Sequence, residues 1–328
     1  IKGTQQITFV DCAFADRVAV LRHTDVGFIG ANVSFINCVV KRQFTVKAIF
    51  SGGGVNIINC TINSDTKGLY VTSETQLNNA RLWVIDSSVE GAYEAVHFNS
   101  IQATSASIRF LRTNFTSDSD SYYTFPMHGT QLQTTEYLID RCRFLKAATN
   151  QEQLVSDSGS TFSNSNFVIS NTHFLGGDDA LELSIKFRSS SWGLLNNTVH
   201  CTDDGFEFDS GGMLDSASNL TLAGNRMKVT GNDAFSADAA YFCDDCKIFM
   251  KDNVDIGTNT AITTIESIDA ASGSKINIIT ASTCFVTIDC NAGNTLAVTG
   301  TQPNCACDCK LLAPSSAETY DGRCDTHQ

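Results

Sequence analysis

A chain of 328 residues with 42% hydrophobic content can bury a sizeable core, which excludes global disorder. Three prolines against 23 glycines exclude collagen-like and proline-rich linker architectures. The net charge of -13, from 22 basic and 35 acidic side chains, disfavours nucleic acid as a partner, because binding phosphates needs a basic face, and it suits cations or neutral glycans.

The sequence starts at Ile1 with no Met and no signal-peptide pattern, so the expectation is that a leader has been removed or that more chain lies upstream. No apolar run approaches ~18 residues, so membrane insertion is not expected.

From Ile7 onward one eight-residue pattern recurs: apolar, any, apolar, any, polar, small or polar, any, apolar. Its ten copies begin at Ile7, Val33, Val55, Leu82, Ile108, Tyr137, Phe167, Trp192, Leu220 and Ile248. The third position of each is also apolar, from Phe9 and Phe35 to Met250. Period-two alternation reads as strands with one buried face. The sixth position holds Cys12, Cys38, Cys60, Ser87, Thr113, Cys142, Thr172, Asn197, Asn225 and Asn253. The three asparagines there are expected to form a ladder, and the thiols to act as small buried hydrophobes rather than as a cross-coil disulfide.

Most repeats continue into a second short strand: Val18-Ala-Val20, Leu69-Tyr-Val71, Val96-His-Phe98, Leu181-Glu-Leu183, Phe206-Glu-Phe208 and Ala261-Ile262. A unit of ~22–30 residues with two or three strands cannot bury its own apolar face, so the units must stack. An immunoglobulin-like sandwich needs hairpin turns every ~8–12 residues and gives no such columns. The fold class is therefore all-β, a parallel solenoid of about ten or more rungs.

Three successive repeats carry acids at one offset: Asp178-Asp179-Ala-Leu-Glu182, Asp203-Asp204-Gly-Phe-Glu207 and Asn232-Asp233-Ala-Phe-Ser236. Alternation turns Glu182 and Glu207 outward and puts Asp179, Asp204 and Asp233 at the strand heads. Glu94-Ala-Val-His97 aligns with the same strand and places His97 on the same outer face. In-register stacking brings like charges roughly 5 Å apart. A bound Ca²⁺ on Asp178, Asp179, Asp203 and Asp204 would relieve that, as would a shared proton. Solvated acids that cap their own turns are the bland alternative.

Trp83 points outward by alternation and Trp192 inward. Tyr122-Tyr123 and Phe125 sit in a long turn and read as an exposed apolar patch. His173 and His200 read as surface residues. Five N-x-S/T sequons, at Asn32, Asn59, Asn114, Asn196 and Asn219, accompany thirteen cysteines. Cys243, Cys246, Cys284, Cys290, Cys305, Cys307, Cys309 and Cys324 are the disulfide candidates, with Cys243-Asp-Asp-Cys246 as one arm of a rival metal site. The domain reading is a solenoid over residues 1–300 and a disulfide-stapled cysteine-rich cap over 301–328. Secretion or cell-surface display follows from the sequons and cysteines together.

The N-C or N-T turn, the column order and the GDDAxEL-type second strand resemble the right-handed parallel β-helix of the pectin lyase-like superfamily, over about residues 5–270. The resemblance implies fold more than function, since that architecture carries lyases, hydrolases, adhesins and filament parts. Polygalacturonases in it pair an Asp-Asp motif with G-H-G and R-I-K; here Asp178-Asp179 and Asp203-Asp204 match the first, while Met127-His128-Gly129 and Ser184-Ile185-Lys186 match neither other. A lyase needs a basic residue beside its Ca²⁺ acids, and Lys186 and Arg188 are the nearest in sequence.

Two functions follow. The first is a secreted or cell-surface glycoprotein acting as a structural, adhesive or filament-forming module, with self-association or neighbouring extracellular proteins as partners. The alternative is a polysaccharide hydrolase or lyase using Asp179, Glu182, Asp204, Glu207 and Asp233.

Overall fold

The computed structural model describes residues 5–21, 27–147, 150–157, 159–209, 211–231, 233–238, 241–243 and 245–257, with further backbone strands between 260 and 324. It is a parallel β-solenoid of about nine turns. The ten sequence repeats become ten strands of one sheet, from Gln6–Val10 to Lys247–Lys251. Ten strands bound nine intervals, which accounts for the count of turns.

Registration matches the sequence columns at every step. Ile7 pairs with Val33, Val33 with Val55, Val55 with Leu82 and Leu82 with Ile108. Ile108 pairs with Tyr137, Tyr137 with Phe167, Phe167 with Trp192, Trp192 with Leu220 and Leu220 with Ile248. A slip of one residue would turn the whole apolar column to water, and that fixes the register. Phe35, Ile57 and Val84 are buried. Their columns merge with an aromatic spine in which Phe110 meets Phe115 at 5.5 Å and Phe125 at 5.2 Å.

Each coil leaves the first sheet through a residue with positive φ: Asp11, Asn37, Asn59, Asp86, Arg112, Arg141, Asn171, Asn196, Gly224 and Asp252. This is the fifth position of the pattern, where Asn, Asp and Gly tolerate the left-handed region best. The turn leaves the next N–H without a ladder partner. The sixth position supplies one in most coils, where the N–H donates to the side chain one coil on. Cys38 N donates to Cys60 Sγ, Cys60 N to Ser87 Oγ, Thr172 N to Asn197 Oδ1 and Asn225 N to Asn253 Oδ1. Asn225 Oδ1 also accepts from Asn197 N at 3.0 Å, and its Nδ2 donates to Leu194 O at 2.9 Å. Asn225→Ala leaves these buried groups unpaired and is expected to cost ~1–3 kcal/mol in urea unfolding. The exposed Asn114→Ala is expected to stay within ~0.5 kcal/mol, and an equal loss in both would contradict the ladder's role.

The coil has four faces, not two or three. The eighth pattern position enters a second sheet, which begins at Ala13–Phe14. The second strands of the sequence form a third sheet, from Val18–Leu21 through Phe235–Asp238 to Ile268–Asp269. A fourth sheet, from Phe28–Ile29 to Tyr241–Phe242, closes the coil. Its strands have two or three residues each, too short for alternation to show in sequence. Ala261 departs from expectation: Thr260–Ala261 pairs antiparallel with Val254–Asp255 in the second sheet, and Ile262 lies outside the described residues.

Trp192 is buried and stacks on Phe187 at 5.2 Å, as expected. Trp83 is half-buried, with the guanidinium groups of Arg81 at 4.7 Å and Arg109 at 5.3 Å from its ring. Phe125 belongs to the core, not to an exposed patch. His173 and His200 are exposed. Cys243 and Cys246 form a disulfide; Cys284, Cys290, Cys305 and Cys309 lie outside the described residues, and Cys307 and Cys324 fall on short backbone strands. Cys12, Cys38, Cys60, Cys142 and Cys201 are free thiols. Burial pushes Cys60 up to about 11 and Cys142 and Cys201 up to about 12, which keeps them protonated and unreactive. Of the sequons, Asn59, Asn114 and Asn196 are exposed, and Asn32 and Asn219 half-buried.

Candidate functional site

The outer face of the third sheet collects the ionisable side chains into columns. Phe125, Leu154, Leu181, Phe206 and Phe235 are paired in register on the inner side. Two residues before them stand Tyr123, Glu152, Asp179, Asp204 and Asp233, and the column extends back through Glu94 to Lys67, which are themselves paired. One residue after them comes the outward column: Pro126 pairs with Val155, Val155 with Glu182, Glu182 with Glu207 and Glu207 with Ser236.

Carboxylates gather where these two columns meet. Glu152, Asp179 and Glu182 each bring an oxygen within 4.8 Å of the others. Asp179 and Asp204 are buried; Glu152, Glu182 and Glu207 are half-buried. Burial pushes the Glu182 carboxyl up to about 8, and the negative charges of Glu152, Asp209, Glu207 and Asp179 add to it. Burial likewise takes Asp179 up to about 7 and raises Glu152 and Asp204. Tyr123 is raised as well, by burial and then by Glu152 and Glu182. A site that holds carboxyls protonated near neutrality can deliver a proton to a bond being broken. The same oxygens suit a hard cation.

The acids predicted from sequence divide by role. Asp179 Oδ1 accepts the backbone N–H of Asp204 at 2.6 Å, and Asp204 Oδ1 accepts that of Asp233 at 2.7 Å. Both therefore splice one coil to the next, and Ser236 Oγ donates to Asp204 Oδ2 at 3.3 Å. Asp178 accepts from Thr202 Oγ1 at 3.2 Å, and Asp178 and Asp203 stand in the turn just ahead of the strand-head column. Of the four acids read as Ca²⁺ ligands, Asp179 joins the close carboxylate trio. Lys186 and Arg188 belong to the fourth sheet, where Arg188 faces Asp215 at 4.0 Å. Glu152 was not foreseen. Its repeat lacks an Asp-Asp pair, and the available signal is its place two residues before Leu154.

Toward the N-terminal coils the same face carries a second polar group. Glu94 Oε2 accepts from Lys67 Nζ at 2.9 Å and lies 2.7 Å from His97 Nδ1. Its carboxyl is pulled below the ordinary range by His97 and Lys67, against the opposing effect of burial. His97 sits edge-on to His128 at 5.4 Å, and His128 faces Asp157 at 3.5 Å.

The raised carboxyls make stability depend on pH in a defined direction. Their ordinary values are 3.8 for Asp179 and 4.5 for Glu182. The folded chain thus holds protons that the unfolded chain releases, and stability is highest below about pH 4 for this cluster and drains as pH rises toward about 8. The expected result is a melting temperature that falls across that window in the wild type and falls less in Glu182→Gln. Equal slopes in both proteins would contradict the raised carboxyl.

No family model, no curated protein and no solved structure matches this chain.

Proposed function

We propose that the chain is a secreted polysaccharide-acting enzyme of pectin lyase-like architecture, with its active face on the third sheet. The observation that carries this is the trio Glu152, Asp179 and Glu182, within 4.8 Å, with Glu182 raised to about 8. Glu182 is the general acid that protonates the leaving oxygen. Glu207, paired with it one coil on, is the carboxylate that supports water or the sugar carbon from the other side. Asp179 and Asp204 position the strand heads through their backbone bonds. A flat parallel sheet face running over many coils suits an extended chain of sugars. Ca²⁺ on the Glu152–Asp179–Glu182 trio is the alternative means of relieving the crowded charge. The sequons and cysteines support an extracellular glycoprotein.

A second reading has its own observation. The Asp179 and Asp204 carboxylates bond the next coil's backbone, which is what a purely structural, adhesive or filament-forming rod would use them for. A panel of neutral and acidic glycans assayed for reducing ends and unsaturated products at pH 4–8 separates the two. Turnover supports the enzyme; no turnover on any glycan, together with ordered self-assembly, supports the rod.

A further inference from the structure

Tyr93 and Tyr122 are 44% and 43% exposed, and their rings lie 4.9 Å apart with a tilt of 32°. They come from adjacent coils, each one residue before the strand-head column (Glu94 and Tyr123). The same offset in the following coils gives Gln151, Asp178 and Asp203. The tyrosine pair therefore lies in the line of Asp178 and Asp203, one residue ahead of the column that holds Glu152 and Asp179.

The backbone carbonyls of the pair are bonded to the next coil. Ser117 Oγ donates to Tyr93 O at 2.6 Å. The buried Lys146 donates to Tyr122 O at 2.5 Å and to Ser119 O at 2.8 Å. Tyrosines, with two side-chain torsions to order, offer a large contact area at little entropic cost, with an apolar face and a polar rim. That combination matches the C–H face and hydroxyl edge of a pyranose ring.

We propose that Tyr93 and Tyr122 form a sugar-stacking subsite that holds a neutral polysaccharide across the coils leading to Glu182; this rests on the glycan-cleaving role of the third-sheet face. Tyr122 lies two coils from Glu182, about 10 Å along the axis at ~4.8 Å per coil, so one extended chain reaches both. The ligand is a neutral glycan rather than a polyuronate. Lys67 is bound to Glu94 and Lys146 to two carbonyls, while Asp178 and Asp203 continue the line and repel a uronate carboxylate.

The test compares KM and kcat on a long neutral glycan and on a short oligosaccharide. Tyr93→Ala/Tyr122→Ala is expected to raise KM on the long glycan about tenfold, the equivalent of losing one aromatic stacking contact, with kcat on the short substrate unchanged. Tyr93→Phe/Tyr122→Phe keeps the stacking rings and is expected to stay within about twofold of the wild type, while Tyr122→Ala alone, expected to raise KM about threefold, keeps the test valid if the double alanine variant fails to fold. Wild-type turnover with the same KM in the alanine variant overturns the subsite alone, and a lower KM for a polyuronate than for the neutral chain overturns the choice of ligand. A wild type that turns over no glycan overturns the glycan-cleaving role and the subsite with it.

Discussion

Glu182→Gln is expected to lower kcat on the preferred glycan by ~10²–10⁴-fold, the range for removing a positioned general acid, while leaving the fold intact. The amide keeps the shape of the side chain and removes the proton. The structural grounds are the crowding of Glu182 by Glu152, Asp209, Glu207 and Asp179 and its burial. Wild-type activity should decline as pH rises through about 8, because the acid form disappears there, and the variant's residual rate should lack that limb. Glu207→Gln should be damaging as well, with a different pH profile, since its partner role needs the charged form. Steady-state rates across pH, with circular dichroism to confirm folding, decide the matter. A Glu182→Gln enzyme as active as the wild type would remove Glu182 from the chemistry.

Phe110→Ala is expected to destabilise the protein by ~3–5 kcal/mol, the usual cost of emptying a large aromatic site in a tight core. Phe110 is fully buried in the first sheet and touches Phe98, Phe115, Phe125 and Tyr137, which belong to four other strands. Neighbours drawn from several faces of the coil cannot all collapse into the space. Leu145→Ala, at a side chain 38% exposed, should change stability by less than ~0.5 kcal/mol. Urea unfolding followed by far-UV dichroism gives both numbers. Because coils are coupled mainly to their neighbours, the loss concentrates in the coils around the site, and hydrogen exchange around Phe110 should show the local opening. Similar values for both substitutions would contradict the aromatic spine.

Much of the solenoid was legible in sequence because two rules of different origin coincide. Period-two alternation gives the strands, and the left-handed turn favours Asn, Asp or Gly, with Arg112 and Arg141 as the two exceptions, before a small hydrogen-bonding side chain. Ile57, Asn59 and Cys60 display both rules within four residues. The fourth sheet escaped because strands such as Gln76–Asn78 are too brief to alternate visibly. Its turns also place Ser105, Thr134 and Ser189 at positive φ, residues that give no turn signal of their own. Ala261 misled because an apolar pair in the right place is weak evidence for a strand once the repeat is ending.

The site was half legible. The Asp-Asp pairs announced Asp179 and Asp204, and alternation put Glu182 and Glu207 outside. Glu152 was hidden by the irregular turn before Leu154, and Tyr93 by its distance in sequence from Tyr122. Both are visible only when residues are counted backward from paired core positions rather than forward from a motif. Of the four acids read as a Ca²⁺ set, Asp179 stands in the column that turns toward Glu182, and Asp178 and Asp203 sit one residue earlier.

The most direct test is a ¹³C NMR titration of the side-chain carboxyls, with Glu182→Gln and Asp179→Asn used for assignment. The stacked acids, Asp179 buried and Glu182 half-buried, predict that Glu182 gives up its proton near pH 8 and Asp179 near pH 7. Both titrating close to 4, as exposed carboxyls do, would contradict the account.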